Sequence, residues 1–435
     1  MKKRHVSEQA WKRAAVWATV IFVVMQVVTV VLGYGIRQYP DALSYMILAY
    51  RSMGVDQWYP TTYDEYSRFI FAPGFVNFLL LQLKLFGTFN LNAVFNMLRS
   101  MAMMGEVYAL AHRFFNRRTA YVAVVLFALL YSNYAGVVVN GTEIPFLFTS
   151  LTAFWLLVRF PRHGVVVAGV LFAVSQTVRP LATLFVAAAL VYLFLQRSRW
   201  WQHVALVASF AAVLVVVGLV NQHRMGYFVY QSTTGGVNLV MTAADNADGL
   251  TSTFLRNGVG PGSARYIKNA RHYTFVQRDS IWKARAVDWI NRHPAKYISF
   301  FPKKWVVLFV DDTWADRLIR GHGMTSSLRS QRLSVQAKVW LVAEMLLKSI
   351  TYYAVCVLFV VQLWRGARRV IRSRSHARAL FTDSRHAGKV ALLFLFFAGV
   401  LATSIFAVGP RYHYPFLFIM VIWAAYALER ATLRR

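Results

Sequence analysis

Hydrophobic and polar residues follow one another along this chain in long blocks. Each apolar run is about long enough for a helix that crosses a bilayer, and such a helix satisfies its own backbone hydrogen bonds in hydrocarbon. The pattern therefore predicts an all-α polytopic membrane protein with about ten transmembrane helices. The predicted spans are residues 14–34, 91–112, 120–139, 145–158, 165–177, 181–195, 204–220, 340–364, 390–408 and 415–428.

Two longer mixed blocks interrupt the apolar runs. The first, residues 36–90, is an external loop that includes the short apolar segment 73–87, which fits a juxtamembrane helix better than a span. The second, residues 221–340, is long enough for a periplasmic loop subdomain and contains a predicted amphipathic helix at 280–291. The predicted modules are 1–220, including the first external loop 36–90, then 221–340 and 341–435.

The distribution of charged residues predicts how the chain is oriented in the membrane. The chain carries 48 Lys and Arg against 17 Asp and Glu, a net charge of +31, although 57% of its residues are hydrophobic. The basic residues lie in short turns between apolar runs, not on one amphipathic face, which excludes nucleic acid as the partner. This distribution predicts a multi-pass protein of the bacterial inner membrane with cytoplasmic termini. The terminal cations are Lys2, Lys3, Arg4, Lys12, Arg13, Arg430, Arg434 and Arg435.

The cysteine and histidine content argues against disulfide bonds and metal sites. The single cysteine, Cys356, lies in an apolar run, which excludes a disulfide framework and a thiolate metal cluster. His413 has no second His or Cys at ligand spacing, so the sequence supports neither a divalent metal nor another cofactor.

Asp41 is the leading candidate for a catalytic residue. It follows Pro40 just after the first span, and a carboxylate held at the mouth of a helical bundle is suited to act as a catalytic base. The alternative is a helix cap, because Asp at a helix start satisfies free backbone N–H groups. The two roles are compatible in one residue.

Three further residues are predicted on the same external face. Glu143 lies in a tight turn between two spans, where it caps a helix or binds substrate. Arg179 and Arg411 are cations on the side opposite to the positive bias, so each needs a partner. That partner is Glu143 or a lipid phosphate, since a guanidinium matches both oxyanions.

Other polar residues have weaker signals. Asp245, Asp311 and Asp312 are typical of solvated loop acids, although acceptor contacts are an alternative. Arg99 and Glu106 share one face of the second span, which fits either an internal ion pair or a transport pathway.

The order of several segments resembles that of the GT-C membrane glycosyltransferases. The similarity is to bacterial relatives of the dolichyl-phosphate-mannose protein mannosyltransferases of glycosyltransferase family 39 and of the lipid A aminoarabinose transferase. Besides Asp41, the segments that carry it are 72–75, 85–87, 113–120, 142–145, 179–180, 235–239, 289–294 and 411–415.

The resemblance implies a GT-C bundle that moves one sugar, with inversion, from a polyprenyl-phosphate donor to a lipid, glycan or protein acceptor. On this model Asp41 is the catalytic base, and Arg179 or Arg411 holds the departing phosphate. Ala42 stands where many relatives carry a second acid, so the resemblance does not favour a metal. The candidate substrate-binding residues are Glu143, Arg179, Arg411, His413, Tyr45, Lys84, Asp64 and Glu65.

Two other functions fit the same outward-facing architecture. A transporter or flippase for a lipid-linked saccharide requires polar residues at the bilayer midplane, for which Arg99 and Glu106 are the candidates. A surface-polysaccharide polymerase or ligase would instead use a diphosphate-linked donor.

Overall fold

Helices account for the regular structure of this protein. A computed structural model describes residues 7–250, 260–320 and 333–433, and within these ranges the regular backbone consists of α-helices and short 3₁₀ turns. The terminal cations Lys2, Lys3, Arg4, Arg434 and Arg435 lie outside the described residues. The all-α class predicted from the apolar blocks is confirmed.

The first half of the chain forms ten α-helices within the described ranges. Most begin and end where a turn residue or a charge interrupts the apolar pattern; Gly87 ends α3 in the left-handed conformation and Gly226 does the same for α10. The helices are α1 Glu8–Leu32, α2 Asp41–Gly54, α3 Pro73–Phe86, α4 Leu91–Phe114, α5 Arg117–Ala128, α6 Ser132–Ala135, α7 Glu143–Arg159, α8 Gly164–Val178, α9 Ala182–Leu195 and α10 Trp200–Met225.

The second half begins with short helices and ends with long apolar ones. Two of the short ones have a proline in the first turn, Pro294 and Pro302, where its missing N–H is not needed. The helices are α11 Gly235–Val240, α12 Phe275–Arg292, α13 Pro294–Ser299, α14 Phe301–Phe309, α15 Trp314–Arg320, α16 Val335–Lys348, α17 Ile350–Arg372, α18 Arg374–Thr382, α19 Ala387–Ile405 and α20 Tyr414–Leu433.

Several helices are suited to the bilayer. Five are long and apolar enough to cross it, and a bent pair supplies a sixth in the described part of the chain. The protein is therefore a multi-pass membrane protein, while the number ten stays a prediction. The five are Glu8–Leu32, Trp200–Met225, Ile350–Arg372, Ser384–Ile405 and Pro410–Thr432, and shorter apolar helices are Pro73–Phe86, Gly164–Val178 and Ala182–Leu195.

The last helix lies at the centre of the bundle. In its most apolar stretch of 18 residues, 72% is buried within the protein, compared with 17% in the corresponding stretches of α1 and α10. It packs against α5 and α17, while α4 joins α5 to α7, and α8 lies between α7 and α10. The exposed apolar faces of α1 and α10 are therefore available to contact lipid.

Two predicted spans are broken. Residues 120–139 form α5, which ends at Ala128, and a separate turn that is bent from it by 65°. Residues 340–364 were predicted as one helix, which is wrong, because α16 and α17 meet at Ser349. The Ser349 hydroxyl oxygen accepts a hydrogen bond from the backbone N–H of Asp312, at 3.1 Å. A tertiary contact thus accompanies this break.

The region between α10 and α16 has a hydrophobic cluster of its own. Its buried members include Val237 and Val240 of α11 and Trp282 and Trp289 of α12. Lys304 of α14 is fully buried and donates to the backbone carbonyl of Ser404 at 2.6 Å, at the end of α19. A lysine at a helix C-terminus complements the helix dipole, so this contact holds the region to the bundle. The module boundaries at 220 and 340 stay predictions.

Candidate functional site

Asp41 is the first residue of α2. Pro40 occupies the cap position, with φ −70° and ψ −37°, and makes no side-chain cap hydrogen bond. The carboxylate of Asp41 instead accepts a hydrogen bond from Nη2 of Arg411. The side chains of Asp41 and Arg411 are 36% and 22% exposed, so this ion pair is accessible from outside the protein.

Arg411 joins Asp41 to a second carboxylate. It lies in the 3₁₀ turn Pro410–His413, which immediately precedes the central helix α20. While its Nη2 binds Asp41, its Nε lies 3.7 Å from Oε1 of Glu143. One guanidinium therefore bridges two acids that are about 100 positions apart in the sequence.

Glu143 and Arg179 form the buried end of this network. Glu143 is the first residue of α7, and Arg179 directly follows α8, where Pro180 cannot continue the helix. Nη1 of Arg179 lies 2.9 Å from Oε1 of Glu143, and the two side chains are 9% and 2% exposed. The other oxygen of Glu143, Oε2, is buried and has no hydrogen-bond partner among the described residues.

Aromatic rings border these charges. The guanidinium of Arg179 lies 5.1 Å from the ring centroid of Tyr412, within cation–π range. Tyr45, one turn after Asp41, packs edge-on against Phe71 at 5.4 Å and Phe75 at 5.2 Å. Burial and the nearby Asp41 carboxylate raise the pKa of Tyr45, so its phenol stays neutral.

The structure adds one cation that the sequence reasoning missed. Arg317 lies in α15, which packs against the 3₁₀ turn of Arg411. The carbonyl of Leu318 accepts a hydrogen bond from the backbone N–H of Tyr39 at 2.8 Å, and this bond holds Arg317 near the start of α2. Its charge acts on both Asp41 and Arg411. The available signal was an arginine on the predicted external side, against the positive-inside bias.

Electrostatics fix the charge state of Asp41. The positive charge of Arg411 lowers the pKa of the Asp41 carboxyl, against the opposing effect of burial, with smaller contributions from Arg317 and Arg179. The carboxylate is therefore ionised near neutral pH. We call Asp41, Glu143, Arg179, Arg317 and Arg411 the Asp41 cluster; it has one positive charge in excess, which favours an anionic ligand.

His413 lies behind the cluster, in a closed position. It is fully buried; its Nδ1 lies 3.0 Å from the carbonyl oxygen of Leu308 and its Nε2 3.4 Å from Oδ1 of Asp312. The expectation that Asp311 and Asp312 are solvated is wrong, because they are 2% and 0% exposed. Their oxygens are used within the protein: Asp311 accepts from the Thr313 hydroxyl and Asp312 from the backbone N–H of Ser132.

Three predicted substrate-binding residues have other contacts. Lys84 binds Asp56 at 2.8 Å, beyond the C-terminal end of α2 and thus far from Asp41. Asp64 is buried and accepts from the backbone N–H and the hydroxyl of Thr61, at 2.8 and 2.9 Å. Glu65 accepts from the Tyr227 hydroxyl at 2.9 Å. These contacts are structural, and a substrate role for the three residues stays a prediction.

The other external acid singled out by the sequence, Asp245, is exposed and accepts from Nε1 of Trp289 at 2.8 Å.

The two charged residues of α4 also have partners of their own. Arg99 donates to Asn96 at 3.0 Å, and Glu106 accepts from the hydroxyl of Thr152 at 2.5 Å. Instead of the internal ion pair considered for Arg99 and Glu106, each residue therefore binds an uncharged polar side chain.

The Asp41 cluster does not fit a divalent cation. Such an ion needs several oxygen or nitrogen ligands free of competing cations, and both carboxylates here are bound by guanidinium groups. Among the described residues no group of three or more His, Cys, Asp or Glu has the proximity to hold a metal ion.

One stretch of the chain is similar to a known protein family. Residues 72–220 match the sequence model of the dolichyl-phosphate-mannose-protein mannosyltransferase family. The match covers about a third of the chain and includes Glu143 and Arg179 of the cluster. The resemblance to GT-C mannosyltransferases is confirmed over this stretch. No curated protein sequence is significantly similar to the chain.

Solved structures show partial similarity. The archaeal oligosaccharyltransferase AglB from Archaeoglobus fulgidus, in complex with an inhibitory peptide and a dolichol-phosphate, matches with TM-score 0.48 and 14% identity over 97% of this chain. This chain spans 50% of the length of that AglB chain. ArnT from Cupriavidus metallidurans bound to undecaprenyl phosphate matches with TM-score 0.38 and 12% identity, over 89% of this chain and 77% of that chain.

Proposed function

We propose that the protein is an inverting glycosyltransferase that moves a single sugar from a polyprenyl-phosphate donor to a lipid, glycan or protein acceptor. The observation that carries the proposal is the Asp41 cluster, in which an accessible carboxylate lies beside arginines with one uncompensated positive charge. The family description of residues 72–220 names a donor of this chemical class, a dolichyl-phosphate sugar.

The reaction uses the two kinds of charge in different ways. The acceptor hydroxyl attacks the anomeric carbon while Asp41 takes the hydroxyl proton. The new C–O bond forms as the bond from the anomeric carbon to the phosphate oxygen breaks, on the opposite side. The departing polyprenyl phosphate gains negative charge and needs no proton, because Arg411 and Arg317 stabilise that charge.

Glu143 has a supporting role in this proposal. Oε1 holds Arg179 and approaches Arg411, which keeps both guanidinium groups in place. The buried Oε2 has no partner among the described residues, so it retains the capacity to accept a further hydrogen bond. Gly141 keeps the space beside it open, because a Cβ at that position would lie 2.7 Å from Oε2.

The test uses the purified full chain in detergent with a panel of radiolabelled polyprenyl-phosphate sugars. We expect release of polyprenyl phosphate with at least one donor, and a loss of at least about 100-fold in Asp41→Asn, the usual worth of a general base. The matched control is Asp288→Asn, an exposed acid paired with Arg292, which should retain full activity. Absence of release with every donor would instead support a transporter.

The proposed setting is the bacterial inner membrane, with cytoplasmic termini and the Asp41 cluster outside. The distribution of basic turns supports this orientation. In a Cys356→Ser background, the exposed positions Tyr63→Cys and Arg385→Cys test it with a membrane-impermeant maleimide on intact spheroplasts. Labelling at position 63 but not at 385 is expected; the reverse pattern would overturn the orientation.

A further inference from the structure

A cavity of about 450 Å³ lies outside the Asp41 cluster, beside α12. Four of its lining residues are arginines: Arg68 from the first loop, Arg265 and Arg271 from the loop before α12, and Arg278 from α12 itself. None of the lining residues is acidic. Such a concentration of one charge in a concave site attracts anions.

The acids nearest to this cavity along the chain are occupied elsewhere. Asp279, next to Arg278, binds Lys283 at 2.6 Å and accepts from the backbone N–H of Gly236. Glu65 accepts from the hydroxyl of Tyr227. The positive charge of the cavity is therefore not balanced by these neighbours.

Backbone carbonyls hold the cavity wall without neutralising it. Arg278 is buried and donates from Nε to the carbonyl oxygen of Tyr273 at 3.0 Å. Trp282 donates to the carbonyl oxygen of Arg265 at 3.1 Å. A carbonyl satisfies a donor but leaves the charge of a guanidinium in place.

The arginines also act on one another. Burial and the charge of Arg278 lower the pKa of Arg68, while burial and the charge of Arg68 lower the pKa of Arg265 to about 10. All of them remain cations near neutral pH. An anion in the cavity would relieve this repulsion.

A short extended segment connects the cavity to the Asp41 cluster. Ile70 is fixed by two hydrogen bonds with Thr233, at 2.8 and 2.9 Å. Phe71, three residues after Arg68, packs against Tyr45, which lies one turn after Asp41. Chain geometry and the ring contact then limit the Cα–Cα separation between Arg68 and Asp41 to roughly 30 Å, within the span of a short oligosaccharide.

We infer that this cavity is the subsite for an anionic group, a phosphate or a carboxylate, on a saccharide acceptor whose hydroxyl is presented to Asp41. The inference rests on the proposed function and narrows the acceptor class within it. A discrete anion fits the observations better than a flat membrane surface, because Arg278, which lines the cavity, is only 8% exposed.

Binding measured without any donor tests the inference. The probes are fluorescently labelled trigalacturonate and its uncharged counterpart, galactotriose, with the purified full chain in detergent. We expect the anionic probe to bind at least about tenfold more tightly, with an affinity that falls as salt rises. Inorganic phosphate should compete with it.

Matched variants assign the binding to the cavity. The double substitution Arg68→Gln with Arg271→Gln should weaken trigalacturonate binding by at least about tenfold. Arg292→Gln, at an exposed arginine of α12 that is paired with Asp288, should leave it unchanged. Equal affinity for the two probes, or an unchanged affinity in the double variant, would overturn the inference.

Nanodiscs separate the possible sources of the anion. Trigalacturonate should bind equally in zwitterionic and in anionic phospholipid; its loss in anionic nanodiscs would assign the cavity to a lipid headgroup and overturn the saccharide assignment. Loss of probe binding with sugar transfer intact would contradict only this inference. Probe binding without transfer from any donor would contradict only the proposed function.

Discussion

Two ionic clusters lie close together in this protein and use the same residue types differently. In the Asp41 cluster, the Asp41–Arg411 pair is partly exposed and positive charge is in excess. A second group, which we call the Asp316 cluster, comprises Tyr131, Asp316, Glu344 and Lys348. There Asp316 is buried, with one oxygen 2.6 Å from the Tyr131 hydroxyl and the other 2.8 Å from Nζ of Lys348.

The difference lies in what remains unsatisfied. Both oxygens of Asp316 have partners from elsewhere in the fold, so the Asp316 cluster has the contacts of a scaffold that holds α15 against α16. The Asp41 cluster retains an accessible carboxylate, an unpartnered oxygen on Glu143 and an excess cation. Residual charge and exposure, more than the presence of acids and arginines, therefore distinguish a reactive site from a structural one.

The largest expected effect is that of Arg411→Gln on transfer. This change removes the group that bridges Asp41 and Glu143 and that binds the leaving phosphate in our proposal. The turnover number should fall by about 100-fold or more, as when a transition-state donor is removed elsewhere. Steady-state kinetics with labelled donor provide the measurement. Arg320→Gln, at an exposed arginine of α15 that binds Glu344 and lies outside the Asp41 cluster, is the control, and equal activity of the two variants would contradict the assignment.

A substitution in the Asp316 cluster should lower the stability of the protein and leave its activity unchanged. Asp316→Asn removes the buried carboxylate from Lys348, which retains only Glu344 at 2.6 Å. We expect a loss of about 2 kcal/mol of unfolding free energy, seen as a lower thermal midpoint in detergent. Transfer per folded molecule should persist, whereas a lower turnover number at unchanged thermal midpoint would show that the two clusters are not distinct in this way.

Arg317 tests the role of the excess charge. In our proposal Arg317→Gln leaves the bridging guanidinium of Arg411 and removes the uncompensated cation. The KM for the lipid-phosphate donor should rise by about tenfold, the worth of one charge-assisted contact. A KM within twofold of the original protein would remove Arg317 from donor binding. Arg320→Gln serves again as the matched arginine of α15.

The smallest expected effect concerns pH. The base form of Asp41 is lost as pH falls through its pKa, which Arg411 foremost holds below the usual value, so transfer should persist down to about pH 4. In Arg317→Gln that pKa rises, so the acid limb should move upward, while Arg411, the larger cause of the lowered pKa, remains in place. The pH profile at saturating donor provides the measurement; a downward movement would contradict this electrostatic account.

Much of the cluster was predictable because its signals are local. External acids and wrong-side arginines are visible in the sequence, and the structure brings Asp41, Tyr45, Glu143, Arg179 and Arg411 together. What could not be predicted depends on tertiary contacts. The break at Ser349 and the burial of Asp312 are linked by one hydrogen bond between segments 37 positions apart. The length of an apolar run does not reveal such a contact.

The hydrogen bond between Tyr39 and Leu318 has a consequence for biogenesis. Together with the Asp41–Arg411 pair, it shows that the site is assembled from segments that are far apart in the sequence. During insertion, Glu143 and Arg179 are able to form their ion pair early. Asp41 lacks its partner Arg411 until the turn before α20 has emerged. We therefore expect a nascent chain to remain without activity until α20 has been inserted and the turn that carries Arg411 has reached Asp41.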